Sequence, residues 1–451
     1  MTEEQGAQMN FAEDGMPGSM PMEYEEEELY QKKHKALIID AFNAQITVDA
    51  PIITARVYAS LLIWALNCHI KEDGWRVIRT EGYQDPNPSY LDVDDGSGIK
   101  QNLMNKGVFL LEKNNDLLIA TVNAVPLQIA MVVVTGLRTR KEIVNGFADT
   151  LEKIIKERNF YRGRKIELGY RITFLNVPER SWSDLILDDD IKDDIRMNIT
   201  NFLNNRSRLR DFHIPIKRGV LLIGEPGTGK TLCSKVILSE ATGVTCITTI
   251  PGLLQTDIYL HLLYQLAADL SPTIIFIEDI DLICTDRRFG RGSALLTLLS
   301  EMDGVQECDG ICTVLTANDK ETLDSAIAKR PGRIDRVFSF ERPALAQRIE
   351  LISKLCKDIS LDAHTQEYLA KKTENFTPAQ VQEAVFSLAI SYCNNNVGEK
   401  PACLTFNRQE VDTVIGKIDR DNRQQNIGFS LPAGNTRQYD VPVHIGNEIK
   451  S

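Results

Sequence analysis

The stretch "GVLLIGEPGTGKT", residues 219–231, constrains the fold more than any other part of the chain. An apolar run, Val220 to Ile223, enters a loop with glycines at 224, 227 and 229, followed by Lys230 and Thr231. The pattern is G-x-x-x-x-G-K-[ST], with strand character before it and helix character after it. Glycines at these places let main-chain N–H groups wrap phosphate oxygens without Cβ clashes. The next segment, "KTLCSKVILSEAT", reads as a helix ending at Gly243, and its positive end points at the same phosphates. The expected nucleotide-binding stretch is Gly224, Glu225, Pro226, Gly227, Thr228, Gly229, Lys230, Thr231 and Leu232. Lys230 is expected to reach the β- and γ-phosphates of ATP, and Thr231 to ligate Mg²⁺.

A second run, "TIIFIEDID", ends in Glu278, Asp279 and Asp281, with Glu278 48 residues after Lys230. Carboxylates at the end of a parallel strand lie beside the phosphate loop. One of the first two acids, Glu278 or Asp279, should hold the Mg²⁺ shell and the other should polarise the attacking water. "TVLTAND" is a further strand with a polar end, Asn318, and "AKRPGRIDR" packs Arg330, Arg333 and Arg336 into seven residues. Five apolar runs, 219–223, 244–249, 273–277, 311–316 and 336–340, read as strands, most of them separated by helical segments. That alternation predicts an α/β fold, a parallel sheet covered on both faces.

At 451 residues the chain has room for two or three domains. Expected boundaries are an acidic tail at 1–29, an α+β N-terminal recognition or assembly domain at 30–178, the large P-loop domain at 179–344, a helical lid at 345–420 and a C-terminal tail at 421–451. The net charge of −12 comes mostly from nine acids in the first 30 residues, so the remainder is close to neutral. A near-neutral body sets up no field for nucleic acid. Nine cysteines without CxxC pairs fit a reducing, cytoplasmic setting. "VYASLLIWALNCHI", 57–70, is too short to cross a bilayer and reads as a buried helix. "LLIATVNAVPLQIAMVVVTGL", 117–137, reads as two strands joined at "NAVP". In "TPAQ", 377–380, Thr377 and Gln380 form a capping box that opens a lid helix.

Taken together, "GEPGTGKT", "IIFIEDID", "LLSEMDG", "LTAND" and "RPGRIDR" resemble the ATPase module of the AAA family, over about residues 182–420. Within that family the module is similar to the mitochondrial Rieske-protein translocase group, which also places Glu before Asp and has "SPAQVQ" where this chain reads "TPAQVQ". The resemblance implies that Glu278 takes the Mg²⁺-side position, Asp279 the base position and Asn318 the first-sensor position. Arg330 and Arg333 would then act as fingers on the next subunit, and Asp303 would lie in the segment that relays nucleotide state. It also implies a homo-oligomeric ring, usually a hexamer, with a heptamer in the translocase group. A protein substrate is expected to engage the N-terminal domain. Two departures stand out: "TTIPGLLQTDIYLHLL" lacks the aromatic–hydrophobic–Gly threading loop, and no N-terminal membrane helix is present. Tyr259, the nearest aromatic, fits a helix face and reads as core.

Three readings follow from these residues. The first is a ring that spends ATP to remodel, move or disassemble a protein; the second is a slow, ATP-gated scaffold; the third, which the charge argues against, is a nucleic-acid-dependent ATPase. "TDRRFGRG", 285–292, reads as a solvated loop that would otherwise suit an acidic ligand.

Overall fold

The structure, a computed structural model, describes residues 32, 35–82, 87–124, 129–281, 293–304, 310–318, 334–356, 359–395 and 403–426. The acidic tail, the 285–292 loop, Arg330 and Arg333 lie outside the described residues.

The chain divides into two compact units. The first contains two sheets. The front sheet is antiparallel: β1 (Thr47–Thr54), β2 (Arg76–Glu81), β3 (Ser89–Asp94), β4 (Lys100–Lys113), β5 (Asp116–Asn123) and β6 (Ala130–Leu137). Its order is β1-β6-β5-β4-β2, and β3 pairs with the first half of the long β4. Asn114 and Asn115 take left-handed φ values, 53° and 66°, and close the β4–β5 hairpin as the sequence leads one to expect. The uncharged segment at 57–70 is indeed a buried helix, Ala59–Glu72, and residues 117–123 and 130–137 lie in β5 and β6, with residues 125 and 126 of the expected joint outside the described residues. The helices Ala59–Glu72 and Lys141–Glu157 cover one face through Leu62, Leu66, Val144, Phe147 and Leu151. Leu37 and Phe42 meet Ile119 on the other face, which is why β5 is buried without alternation from Leu118 to Val122.

The second sheet contains β7 (Lys165–Leu168), β8 (Ile172–Phe174), β9 (Lys217–Gly224), β10 (Thr245–Thr249), β11 (Thr273–Ile277), β12 (Ile311–Ala317) and β13 (Arg336–Phe340). Its order is β13-β9-β12-β11-β10-β7-β8, with β9, β12, β11, β10 and β7 parallel in turn. All five strands expected from the sequence are present. The α/β fold class is as expected, but one boundary differs. β7 and β8 fall inside the span assigned to the front domain, 30–178, yet they extend the second sheet. Ile166 sits beside Ile247 in register, so burying that strand completes the second core instead of the first. The helix Ala59–Glu72 is shared in the same way: Leu61 packs in the second core, and Leu62 and Ile63 in the first. Just before it, the Tyr58 hydroxyl donates to Asp269 Oδ2 at 3.2 Å.

The second unit holds Glu225–Gly229 and the chain from Phe340 onward. Its helices are Leu345–Leu355, Ala363–Lys372, Pro378–Asn395 and Arg408–Asn426, packed on Ile352, Leu369, Val385, Leu388 and Ile415. The last helix continues past residue 420, six residues into the expected tail. The capping box forms: Thr377 N–H donates to Gln380 Oε1 at 2.8 Å, and Gln380 N–H to Thr377 Oγ1 at 3.4 Å. Arg348 is buried and donates to the Ala370 and Pro343 carbonyls, each at 2.8 Å.

Candidate active site

Strands β9, β11 and β12 run parallel with Ile277 opposite Leu315 and Ala317 opposite Ile223. Their carboxyl ends therefore reach the same edge together, where open α/β sheets bind ligands. Gly224, Glu278 and Asn318 are the residues that leave these strands at that edge. Lys230 opens the helix Lys230–Glu240, is buried, and donates from Nζ to the Gly224 carbonyl at 2.6 Å. Burial depresses its ammonium pKa, and the Asp279, Asp281 and Glu278 charges work against that depression. The exposed Thr231 donates from Oγ1 to Glu278 Oε2 at 3.3 Å. Burial pushes the Glu278 carboxyl up; the Thr231 hydrogen bond opposes this and the Asp279 charge adds to it.

Asp279 faces a different partner. Asn318 Nδ2 donates to Asp279 Oδ1 at 3.0 Å. The turn itself is unusual, because Asp279 has φ +51°. Its N–H donates to Thr316 Oγ1 at 2.9 Å, and the Ile280 N–H to the Thr316 carbonyl at 3.0 Å. Asn318 N–H donates to Asp281 Oδ2 at 2.5 Å. Sequence reasoning noted Asp281 without giving it a role, and it did not single out Thr316. Their only local trace is the acid two places after Asp279 and the hydroxyl two places before Asn318.

In the second unit, Glu225, Pro226 and Gly227 are exposed and Thr228 is buried, with Oγ1 donating to the Glu225 carbonyl at 2.8 Å. Gly227 has φ +81°, and its carbonyl accepts the Ala379 N–H at 3.1 Å. Arg342 reaches Glu225 Oε2 at 2.8 Å. In the first unit Leu232 is half-buried. Asp303 lies near the start of β9, where its carbonyl accepts Lys217 Nζ at 2.8 Å, at the strand end remote from Gly224. Tyr259 is core, as expected, with the Arg56 guanidinium 5.0 Å over its ring. Arg336, on β13, pairs with Asp194.

The donor set suits a hard cation. A hydroxyl and a carboxylate side by side fit Mg²⁺, which takes one or two carboxylates and completes its shell with water and phosphate oxygens. Among the described residues, no group of three or more His, Cys, Asp or Glu side chains is placed to hold a metal ion. Also among them, no helix is long and apolar enough to cross a membrane.

Residues 220–342 match the family model described as "ATPase family associated with various cellular activities (AAA)". Among curated proteins, the chain is 32% identical over 245 residues to "ATP-dependent zinc metalloprotease FtsH 3" of Synechocystis, covering 50% of this chain and 38% of that one. It is 31% identical over 251 residues to "ATP-dependent zinc metalloprotease FTSH 3, mitochondrial" of Arabidopsis thaliana, covering 52% and 30%. The "ATP-dependent zinc metalloprotease YME1 homolog" of Schistosoma mansoni is 30% identical over 237 residues, covering 50% and 35%. The chain thus spans well under half the length of these relatives. The 451 residues contain no His-Glu-x-x-His, the helical zinc spacing of such proteases. Residues 220–342 therefore carry an AAA-family ATPase domain.

Proposed function

We propose that this protein is a Mg²⁺-dependent ATP hydrolase that works as a homo-oligomeric ring and couples turnover to remodelling, moving or disassembling a protein partner. The observation that carries the chemistry is the separation of the two acids: Glu278 sits on Thr231, and Asp279 on Asn318. The order here, Glu before Asp, reverses the Asp-then-Glu order usual in such ATPases, and it leaves each position with its own task. Bound Mg²⁺ would neutralise charge on the β- and γ-phosphates. Thr231 and Glu278 would hold it, Glu278 partly through water. Lys230 exchanges the Gly224 carbonyl for phosphate oxygens, since a buried ammonium gains more from an anion than from a neutral acceptor. Asp279 accepts a hydrogen bond from the attacking water and takes its proton, and Asn318 orients the carboxylate. Arg330 and Arg333, in the family's finger positions, serve the next subunit's γ-phosphate.

The likeness to the FtsH and YME1 proteins supports a protein substrate, and the front sheet with its own core is a natural place to receive one. A cytoplasmic setting agrees with nine cysteines without paired spacing. The scaffold reading stays as the competitor because Asp279 is one methylene shorter than Glu, and a displacement of about 1 Å can cost roughly 10²-fold in rate.

The test is steady-state ATP hydrolysis by wild type, Glu278→Gln and Asp279→Asn, with ATP binding and ring size followed on the same samples. Asp279→Asn should bind ATP and stall, while Glu278→Gln should lose Mg²⁺-dependent binding. A stalled Glu278→Gln that retains Mg·ATP would exchange the two roles. A wild type that assembles with ATP but never turns over would leave the scaffold.

A further inference from the structure

The turn that carries Asp279 is held in a conformation that the residue would not choose alone. Left-handed φ costs an L residue roughly 1–2 kcal/mol, less for Asp than for most, and such strain persists only where neighbours over-determine it. Four hydrogen bonds lace residues 279–281 to residues 316–318, and two of them end on Thr316. Thr316 takes the Asp279 N–H on its hydroxyl and the Ile280 N–H on its carbonyl. It is only 2% exposed, so water does not compete for the hydroxyl. Along a continuing strand, successive side chains point to opposite faces. Asp279 lies beyond the end of β11, and its left-handed φ sets the direction in which the short carboxylate meets Asn318 Nδ2. Asp has one fewer side-chain torsion than Glu, so the position of its carboxylate depends more directly on the backbone.

We propose that Thr316 is a positioning residue for Asp279: its buried hydroxyl fixes the left-handed turn that aims the shortened carboxylate at the attacking water. This rests on the reading of Asp279 as the group that polarises that water. The Thr316 side chain is buried and its hydroxyl is engaged by the Asp279 N–H, so its loss should act on the chemical step and leave binding alone.

The experiment uses the full chain with Thr316→Val, which keeps the branched shape and removes the acceptor, and Thr316→Ser, which keeps the oxygen. Thr316→Ala, which cannot overpack, repeats the test if the Val variant fails to fold. Three quantities are read: kcat and KM for ATP, Kd for a fluorescent ATP analogue, and amide hydrogen exchange across 277–281 in nucleotide-free protein. Thr316→Val should lower kcat by about tenfold or more, hold Kd within about twofold and speed exchange at the turn. Thr316→Ser should restore both kcat and protection. A Val variant that hydrolyses like wild type, or one whose kcat and affinity fall together with no local change in exchange, overturns the proposal. A wild type that hydrolyses nothing overturns the ATPase reading and this inference with it. Unimpaired hydrolysis by the Val variant beside an active wild type overturns this inference alone.

Discussion

Gly227→Ala is the substitution whose cost follows most directly from the structure. Gly227 has φ +81°, and a Cβ built there would lie 2.9 Å from Ala379 Cβ and 3.1 Å from Thr377 Oγ1. The left-handed conformation alone costs an alanine roughly 1–2 kcal/mol. Ala379 Cβ cannot swing aside, because it is a methyl fixed to the backbone at the start of the helix Pro378–Asn395. Forcing a Cβ into that contact adds about 1–3 kcal/mol, for a total of about 2–5 kcal/mol. The cheapest escape is for the loop to draw away from residues 377–379 and give up the Ala379 N–H to Gly227 carbonyl bond. If the lower bound appears as displaced phosphate-loop N–H groups, ATP affinity falls about 30-fold. Equilibrium titration with a fluorescent ATP analogue reads this directly, with Tm measured on the same samples. Gly416→Ala is the control: it sits in the helix Arg408–Asn426 with no atom within 4 Å of the added Cβ, and should bind nucleotide as wild type does. A Gly227→Ala protein that binds within about threefold of wild type at unchanged Tm would refute the reasoning, since both costs would then have been absorbed without movement.

Other outcomes are expected elsewhere. Arg348→Met keeps the stem but strips donors from the Ala370, Pro343 and Glu374 carbonyls, and should cost the second unit about 2–4 kcal/mol, read by denaturant titration with proteolysis of the 340–426 region. Gly146→Ala, on the exposed face of the helix Lys141–Glu157 with nothing within 4 Å of the new methyl, should stabilise the front sheet by about 1 kcal/mol. Arg158 hydrogen-bonds Glu72 at 2.6 and 2.9 Å and holds its carboxyl below the usual range. A depressed folded pKa means that the stabilisation is complete above the ordinary carboxylate pKa and lost as pH falls through the lowered value. Urea midpoints of wild type and Glu72→Gln should therefore differ at neutral pH and converge in acid; a constant gap would show that the ion pair contributes nothing.

Much of this protein is local enough to be legible in the sequence. The phosphate loop needs only glycines, a lysine and a threonine at fixed spacing, and the Asn114–Asn115 hairpin and the Thr377–Gln380 capping box are decided within four residues. Five of the seven strands of the second sheet announce themselves as runs rich in apolar residues, and in β9, β10, β11 and β12 this follows from burial of both faces of a parallel sheet. The tertiary structure decided what depends on register between distant strands. Whether "RKIELGYRITF" completes the front core or the second one is set by the pairing of Ile166 with Ile247, and no local pattern encodes it. Thr231 meets Glu278 across 47 residues, and Asn318 meets Asp279 across 39. The left-handed turn at Asp279 is likewise invisible along the chain, because the acceptor for its N–H, Thr316 Oγ1, lies on the neighbouring strand, 37 residues away.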